Sequence, residues 1–249
     1  MHLLEVMAAT PPGGRCWAGL DGCRTGWVLA LVRAGAAGSS PSISLHGRLG
    51  EAVDAAIGLG AATIGIDIPI GLSEDGRRMA DLEARALLGT RRSTVFPTPV
   101  RAVLDAVDYR DALARSRLAC GKGLSKQAWN LMPKIREADE LVRPHDEQRL
   151  FEVHPELAFS RLAGEVLLEP KKTPHGRARR LALLGTALGL DDDAVRMLGA
   201  QRPGPGAAAD DVTDAVAVAL SARALDRGTG TILGDGERDR RGRTMRICF

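Results

Sequence analysis

The chain has 249 residues, of which 45% are hydrophobic and 26% charged, with a formal net charge of +3. These ordinary globular values leave room for one large α/β domain or two small ones. The charge is too balanced to indicate a polyanionic partner by itself, and an aromatic content of 3% argues against a protein that stacks bases on a row of aromatic rings. Four cysteines without a CxxC pair and the lack of an apolar run of about 20 residues favour a cytoplasmic protein with reduced thiols and no membrane partner.

The first elements along the chain predict a β-β-β-α-β unit. Residues 1–14 are interpreted as a loose N-terminal extension rather than a signal peptide, because the apolar stretch lacks a basic start and is interrupted by Glu5. Residues 17–32 predict a β-hairpin, and residues 42–49 predict a third strand. Residues 51–59 have apolar side chains at helical spacing, and 62–69 form a β-branched apolar run. The last strand should lie beside the first, after a right-handed crossover.

The second half of the chain predicts mainly helices. Residues 74–145 are interpreted as a helical elaboration with a proline-rich break, within one domain that spans residues 15–249. A strand at 149–154 follows, and then a helix that begins at Pro155, where proline is tolerated. Helices are also expected at 173–188, 191–198 and 211–225, before a tail with a turn and a short edge strand. The predicted fold class is therefore α/β, a mixed sheet flanked by helices.

Acidic residues stand at the ends of several of these elements. Ala18-Gly19-Leu20-Asp21 and Ile64-Gly65-Ile66-Asp67 share one pattern, in which glycine and aspartate face one side of the strand and the aliphatic residues face the other. Ligands of open α/β sheets bind at the carboxyl ends of the strands. Since a buried carboxylate is costly unless it is paired or bound to metal, both aspartates are candidate site residues.

Three further acids extend this pattern. Glu152 lies in the third candidate strand, and Asp211 and Asp214 project the same way from the start of the last helix. Each acid also has an ordinary structural explanation. Asp211 suits a helix cap, Asp21 suits a turn, and Glu152 suits a salt bridge to an arginine. Those explanations do not account for acids on four elements together. The set predicts a site for Mg²⁺ or Mn²⁺, because hard divalent ions take oxygen ligands, and two such ions about 4 Å apart support phosphoryl transfer.

Six ordered segments carry a resemblance to a known family. GLDGCRTGWVLA, IGIDIPIGL, RRSTVFPTPVRAVL, GLSKQAWNLMPKIREAD, FEVHPELAF and DDVTDAVAVAL resemble, in this order, a bacterial and archaeal family of uncharacterised proteins described as predicted RNase H-like nucleases. The resemblance covers nearly the whole chain and implies an RNase H-like fold. The wider class has an aspartate on the first strand, an acid on the fourth strand and one or more acids on the last helix, and Asp21, Asp67 and the Asp211/Asp214 pair match these positions. The spacing of that pair is similar to the one in Holliday-junction resolvases of the RuvC type.

The resemblance implies a catalytic set of Asp21, Asp67, Glu152, Asp211 and Asp214, of which all but Glu152 are expected to bind metal. Glu152 is set apart because it follows the fourth strand only after a long helical insertion that simple RNase H proteins lack. Basic and polar residues near the acids are candidate phosphate ligands. This substrate-binding set consists of Arg91, Arg92, Ser93, Lys126, Lys134 and His154.

Three functions remain open at this point. The first is a metal-dependent nuclease that acts on nucleic acid or on another phosphorylated substrate, as a possible homodimer by analogy with resolvases. The second is an ATP-dependent phosphotransferase with an actin- or sugar-kinase-like core, because an Asp-Gly turn also binds phosphate there; a second phosphate loop is only weakly represented in this chain. The third is a binding module without catalytic activity, which predicts no affinity for metal.

Overall fold

A computed structural model describes residues 14–35, 38–76 and 78–249. The predicted N-terminal extension, residues 1–14, lies outside the described residues apart from Gly14. The described chain is a mixed α/β structure in which helices flank a five-stranded sheet, with the strand order β3-β2-β1-β4-β5. The strands are β1 Cys16–Cys23, β2 Gly26–Arg33, β3 Ser42–His46, β4 Ala61–Ile66 and β5 Leu150–Glu152.

The predicted hairpin and crossover both form. Strands β1 and β2 pair antiparallel from Cys16↔Arg33 to Cys23↔Gly26, and β3 continues the antiparallel pairing on the far side of β2. Helix α1 (Leu49–Gly58) then crosses over so that β4 pairs parallel with β1, and β5 pairs parallel with β4. The carboxyl ends of β1, β4 and β5 therefore lie at the same edge of the sheet.

The remaining helices cover both faces of the sheet. On one face, α1 packs on β2 and β4 and also contacts α4; on the other face, α8 packs on β1, β2 and β4. Helices α5, α6 and α7 lie around α8. Residues 74–145 contain three α-helices and the predicted proline-rich break. The helices after α1 are α2 Met79–Leu88, α3 Tyr109–Cys120, α4 Lys126–Leu141, α5 Pro155–Ala163, α6 Pro174–Leu188, α7 Asp192–Ala200 and α8 Ala209–Asp226.

Two strand glycines allow α8 to lie directly on the sheet. A Cβ atom at Gly19 would stand 2.1 Å from the carbonyl oxygen of Ala215, and one at Gly65 would stand 2.7 Å from Cγ1 of Val218. Any larger residue would push the helix away. Because side chains alternate along a strand, the aspartate two residues after each glycine faces the same helix, nearer its N-terminus. This close contact explains the Gly-x-Asp pattern shared by β1 and β4.

The C-terminal tail forms a second, two-stranded sheet and a buried ionic network. Strand β6 (Ile232–Leu233) pairs with β7 (Ile247–Cys248), and Cys248 also forms a bridge with Val153 beside β5. Four side chains join the tail to α4 and to the turn before α3, and we call them the tail ion-pair network: Arg101, Asp139, Asp239 and Arg243. This network fixes the tail against the helices that follow β4.

The four cysteines are free thiols, and Cys16, Cys23 and Cys248 are buried. None of the helices in the described ranges combines the length and the apolarity that a bilayer crossing requires.

Candidate active site

Three of the predicted acids meet at the carboxyl edge of the sheet. The backbone nitrogen of Asp67 donates a 2.8 Å hydrogen bond to the carbonyl oxygen of Leu20, so Asp67 follows β4 at the level where Asp21 stands on β1. The carboxyl groups of Asp21 and Asp67 lie near enough to share a proton, and Asp214 of α8 interacts electrostatically with Asp21. We call Asp21, Asp67 and Asp214 the acidic cluster.

The acidic cluster lines a cavity of about 400 Å³. Its lining residues come from the strand ends, from α8 and α4, from the segment after α2 and from the loop before α6. Its charged lining residues are Asp21, Asp67, Asp81, Arg91, Lys134, Glu152, Glu156, Lys171, Lys172 and Asp214. Both signs of charge are thus present around one small volume.

Two acids of the cluster are buried, so water solvates their negative charge poorly. Asp21 is 6% exposed and Asp214 is 3% exposed. Burial, followed by the charges of Asp67 and Asp214, raises the pKa of Asp21 well above its ordinary value. Burial also raises the pKa of Asp214 to about 7, although Lys171 opposes this shift. Such perturbed carboxyl groups in a cleft are typical of functional sites.

Lys171 is the one cation that forms an ion pair with the cluster in the described part of the chain. Its Nζ donates a 2.5 Å hydrogen bond to Oδ2 of Asp214 and lies 3.6 Å from Oδ2 of Asp210. Burial alone would lower the pKa of Lys171, but the neighbouring carboxylates, first that of Asp214, outweigh burial and raise it. With all three cluster acids ionised, one lysine leaves most of the negative charge uncompensated.

The cluster fits a divalent cation by its chemistry, although its side chains are not arranged around one point. Within the described ranges, no group of three or more His, Cys, Asp or Glu side chains has an arrangement that would hold a metal ion. The donor set nevertheless consists of carboxylate oxygens, which Mg²⁺ and Mn²⁺ prefer. Its excess negative charge is the property that a bound cation would offset.

Glu152 lines the same cavity, but its carboxylate is bound by other groups. Its Oε2 accepts hydrogen bonds of 2.6 Å from the backbone nitrogen of Ile70 and 2.6 Å from Nη2 of Arg78. Burial raises the pKa of Glu152 to about 7, against the opposing charge of Arg78. The salt bridge to an arginine, which the sequence left open as an alternative for Glu152, is present. A catalytic role for Glu152 stays a prediction.

Asp211 occupies the position of a helix cap. Its Oδ2 accepts a 2.7 Å hydrogen bond from the backbone nitrogen of Ala208, just before α8. Asp211 is not among the residues that line the cavity, whereas Asp214, one turn further on, is. Burial raises the pKa of Asp211. Its predicted role as a metal ligand is neither supported nor contradicted by these contacts.

The predicted substrate-binding residues divide into two groups. Arg91, Lys134 and His154 line the cavity. Arg91 pairs with Glu156 at 3.3 Å, and Nζ of Lys134 donates a 2.6 Å hydrogen bond to the carbonyl oxygen of Gly26. His154 contacts the carbonyl oxygen of Thr94 through Nε2 at 3.3 Å. The other three, which are exposed and do not line the cavity, are Arg92, Ser93 and Lys126.

Several residues that line the cavity, or that pair with its lining residues, were not singled out from the sequence. Lys171 appears in the sequence only as one member of a basic stretch, and no spacing pattern distinguishes it. Arg78 and Glu156 stand at helix starts, where charged residues are common. A run of basic residues usually forms a solvated face, but Arg180 is only 2% exposed and pairs with Glu156 at 2.7 Å.

The chain belongs to the family described as "Protein of unknown function (DUF429)", whose model matches residues 19–238. That range includes every residue of the acidic cluster. No curated protein matches the chain, and no solved structure matches it.

Proposed function

We propose that this protein is a metal-dependent phosphodiesterase or nuclease with an RNase H-like fold, and that Asp21, Asp67 and Asp214 hold Mg²⁺ or Mn²⁺. One observation carries the proposal: carboxyl groups at the ends of β1 and β4 and on α8 line a single cavity, and among the described residues only Lys171 pairs with them directly. The β-β-β-α-β order of the sheet, with acids on its first and fourth strands and on the last helix, supports the RNase H-like assignment.

The proposed roles follow from the positions of the side chains. Asp21 and Asp67 lie at the carboxyl ends of adjacent parallel strands, so that both carboxyl groups stand at the same edge of the sheet. Asp214 faces them from α8, and Lys171 holds one of its oxygens. The chemistry that a bound divalent ion would supply here is the activation of a water molecule and the stabilisation of the leaving oxygen in phosphoryl transfer.

Cationic side chains at the same cavity suit a phosphate ester. Arg91, Lys134 and Lys172 line the cavity beside the acids. Charge-assisted hydrogen bonds from such groups orient phosphate oxygens. His154 lines the same cavity, and an imidazole there could transfer a proton to or from the ester. These residues would bind and orient the ester while the acidic cluster provides the catalytic centre.

Asp21→Asn tests the proposal because the amide keeps the shape of the side chain and removes its charge. We expect metal-dependent hydrolysis by the wild type and a loss of at least about a hundredfold in the variant, a typical size for removal of an essential catalytic group. The assay offers Mn²⁺ or Mg²⁺, with EDTA as control, on single- and double-stranded nucleic acids, hybrids, four-way junctions and small phosphodiesters.

The matched control is Asp54→Asn, which changes an exposed aspartate on α1. It should leave hydrolysis unchanged. Hydrolysis that continues undiminished in Asp21→Asn would refute the proposal. ATP binding without hydrolysis of any diester would favour the phosphotransferase alternative, and calorimetric titration with ATP provides that measurement.

A further inference from the structure

The depth of the acidic cluster limits which phosphate esters can reach it. Asp21 and Asp214 are buried, and Asp67 is only partly accessible. An ester attacked at this place must bring its phosphorus to the floor of the cavity, between the sheet edge and the first turns of α8. The substrate therefore has to enter the cavity rather than lie across its mouth.

The walls restrict the space above the floor. One face of α4 contributes Gln127, Leu131 and Lys134, which follow one another at helical spacing. The segment that follows α2 also lines the cavity and contributes Thr94, Val95, Phe96 and Thr98. A volume of about 400 Å³ lies within the range of pockets that hold small molecules.

The lining combines apolar surface, which can hold the organic part of a small molecule, with charged and polar groups that can orient it. Its apolar members are Ile68, Pro69, Val95, Phe96, Leu131, Val153, Pro155, Pro170 and Ile247. His154 adds a polar requirement, because its Nδ1 is buried and has no hydrogen-bond partner within the described residues. Buried polar atoms in proteins are nearly always satisfied, so a polar group of a bound ligand is a fitting partner.

The cations around the cavity are few and partly engaged. Arg91 is paired with Glu156, and Lys171 is paired with Asp214. Double-helical nucleic acid is bound by surfaces of about 1,000–2,500 Å² that neutralise many phosphates at once. A small cavity with buried acids and a few cations suits one or two phosphate charges instead.

We propose that the substrate is a small, soluble phosphodiester of about the size of one or two nucleotides, bound inside this cavity, and not an internal bond of a nucleic acid polymer. This inference rests on the proposed phosphodiesterase function and specifies its substrate class. Leu131 and Phe96 form apolar walls for the organic part of the ester, and the diester group lies over Asp21 and Asp67.

The test compares small diesters with closed polymers under identical conditions. The small substrates are bis(p-nitrophenyl) phosphate, a cyclic mononucleotide and a dinucleotide; the polymers are closed circular DNA, single- and double-stranded, so that no ends are available. We expect hydrolysis of at least one small diester with Mn²⁺, none in EDTA or with Asp21→Asn, and intact circles.

The outcomes separate this inference from the function on which it rests. The substrate class would be overturned if the enzyme cut the DNA circles as fast per bond as the small diesters, or cut the circles and not the small diesters. Either result would leave the phosphodiesterase function standing. If the wild type hydrolyses none of these substrates with either metal, the proposed function and this inference both fail.

A substitution that fills part of the cavity tests whether the substrate binds there. Leu131→Trp adds bulk to the wall formed by α4, and we expect KM for the small diester to rise about tenfold or more, with the affinity for Mn²⁺ unchanged by calorimetry. Leu118→Trp is the control, because Leu118 is 91% exposed on α3. Equal KM values in the Leu131 variant and the wild type, both folded by circular dichroism, would overturn binding in this cavity.

Discussion

Two groups of buried acids in this molecule differ in how their charge is balanced. In the tail ion-pair network, Asp239 accepts hydrogen bonds from Nη2 of Arg101 at 2.6 Å and from Nη2 of Arg243 at 2.7 Å. In the acidic cluster, Lys171 pairs with Asp214 and also interacts with Asp21, and no other cation among the described residues forms an ion pair with these acids. The first group is a set of satisfied ion pairs, and the second has an excess of negative charge.

The pKa shifts of the two groups have opposite signs. Burial alone would raise the pKa of Asp239, but hydrogen bonds and charge from Arg243 outweigh it and hold the pKa below its ordinary value. For Asp21, burial and neighbouring carboxylates act in the same direction and raise the pKa. The comparison teaches that burial of a carboxylate does not by itself indicate a functional site. A buried carboxylate whose negative charge is not offset by neighbouring cations is more typical of a functional site.

The largest expected effect is on the stability of the tail ion-pair network. Asp239→Asn removes the charge that Arg101 and Arg243 share, and losing one partner of a buried ion pair costs about 3–5 kcal/mol in the free energy of unfolding. Urea denaturation followed by circular dichroism measures this change. Asp193→Asn serves as control, since its pair with Arg196 is exposed and should be worth little. An Asp239 variant as stable as the control would show that the network does not hold the tail.

Lys171 gives the next prediction, for metal affinity. Lys171→Met frees Oδ2 of Asp214 and removes a positive charge beside the proposed ion, so we expect Mn²⁺ to bind about tenfold more tightly by calorimetry, corresponding to about 1.4 kcal/mol. Lys172→Met is the matched control, because Lys172 lines the same cavity and is exposed. An unchanged or weaker affinity in the Lys171 variant would mean that Lys171 does not compete with metal for Asp214.

The smallest expected effect is a pH-dependent gain in stability. The folded-state pKa of Asp21 lies above its ordinary value of 3.8, so the folded protein favours the protonated form. The stabilisation that Asp21 contributes is therefore fully present at a pH below that ordinary pKa, and it is lost as pH rises through the folded-state pKa. In EDTA, the Asp21→Asn variant should not show this loss. Its free energy of unfolding should exceed that of the wild type by about 1 kcal/mol at high pH, and by less in acid.

The tail ion-pair network provides an internal contrast for that measurement. Asp239 has a lowered pKa, so its contribution is present above its ordinary pKa and is lost as pH falls through the folded-state value. Urea denaturation across pH should therefore show a higher free energy of unfolding for Asp21→Asn than for the wild type at alkaline pH. For Asp239→Asn it should show a lower free energy of unfolding at all but the most acidic pH. A gain from Asp21→Asn that does not grow with pH would contradict the charge imbalance in the acidic cluster.

Much of the fold and part of the candidate site could be predicted from local patterns. The hairpin, α1 and β4 follow from apolar runs, periodicity and turn residues, all of which act over a few neighbouring residues. The convergence of Asp21 and Asp67 also follows, because parallel neighbouring strands end at the same edge and each aspartate stands two residues after a glycine on the same face. Asp214 was predictable together with Asp211, since both stand near the start of one helix.

Which charges meet across long distances in the chain depends on the folded structure. Local patterns in the sequence predict the α/β arrangement and the carboxyl edge where Asp21 and Asp67 lie. It did not separate Asp214, which faces the cavity, from Asp211, which caps α8. Nor did it join Lys171 to Asp214 or Arg78 to Glu152, because no helical or strand periodicity relates these residues. Ion pairs of this kind depend on how whole elements pack, and packing is a property of the folded chain.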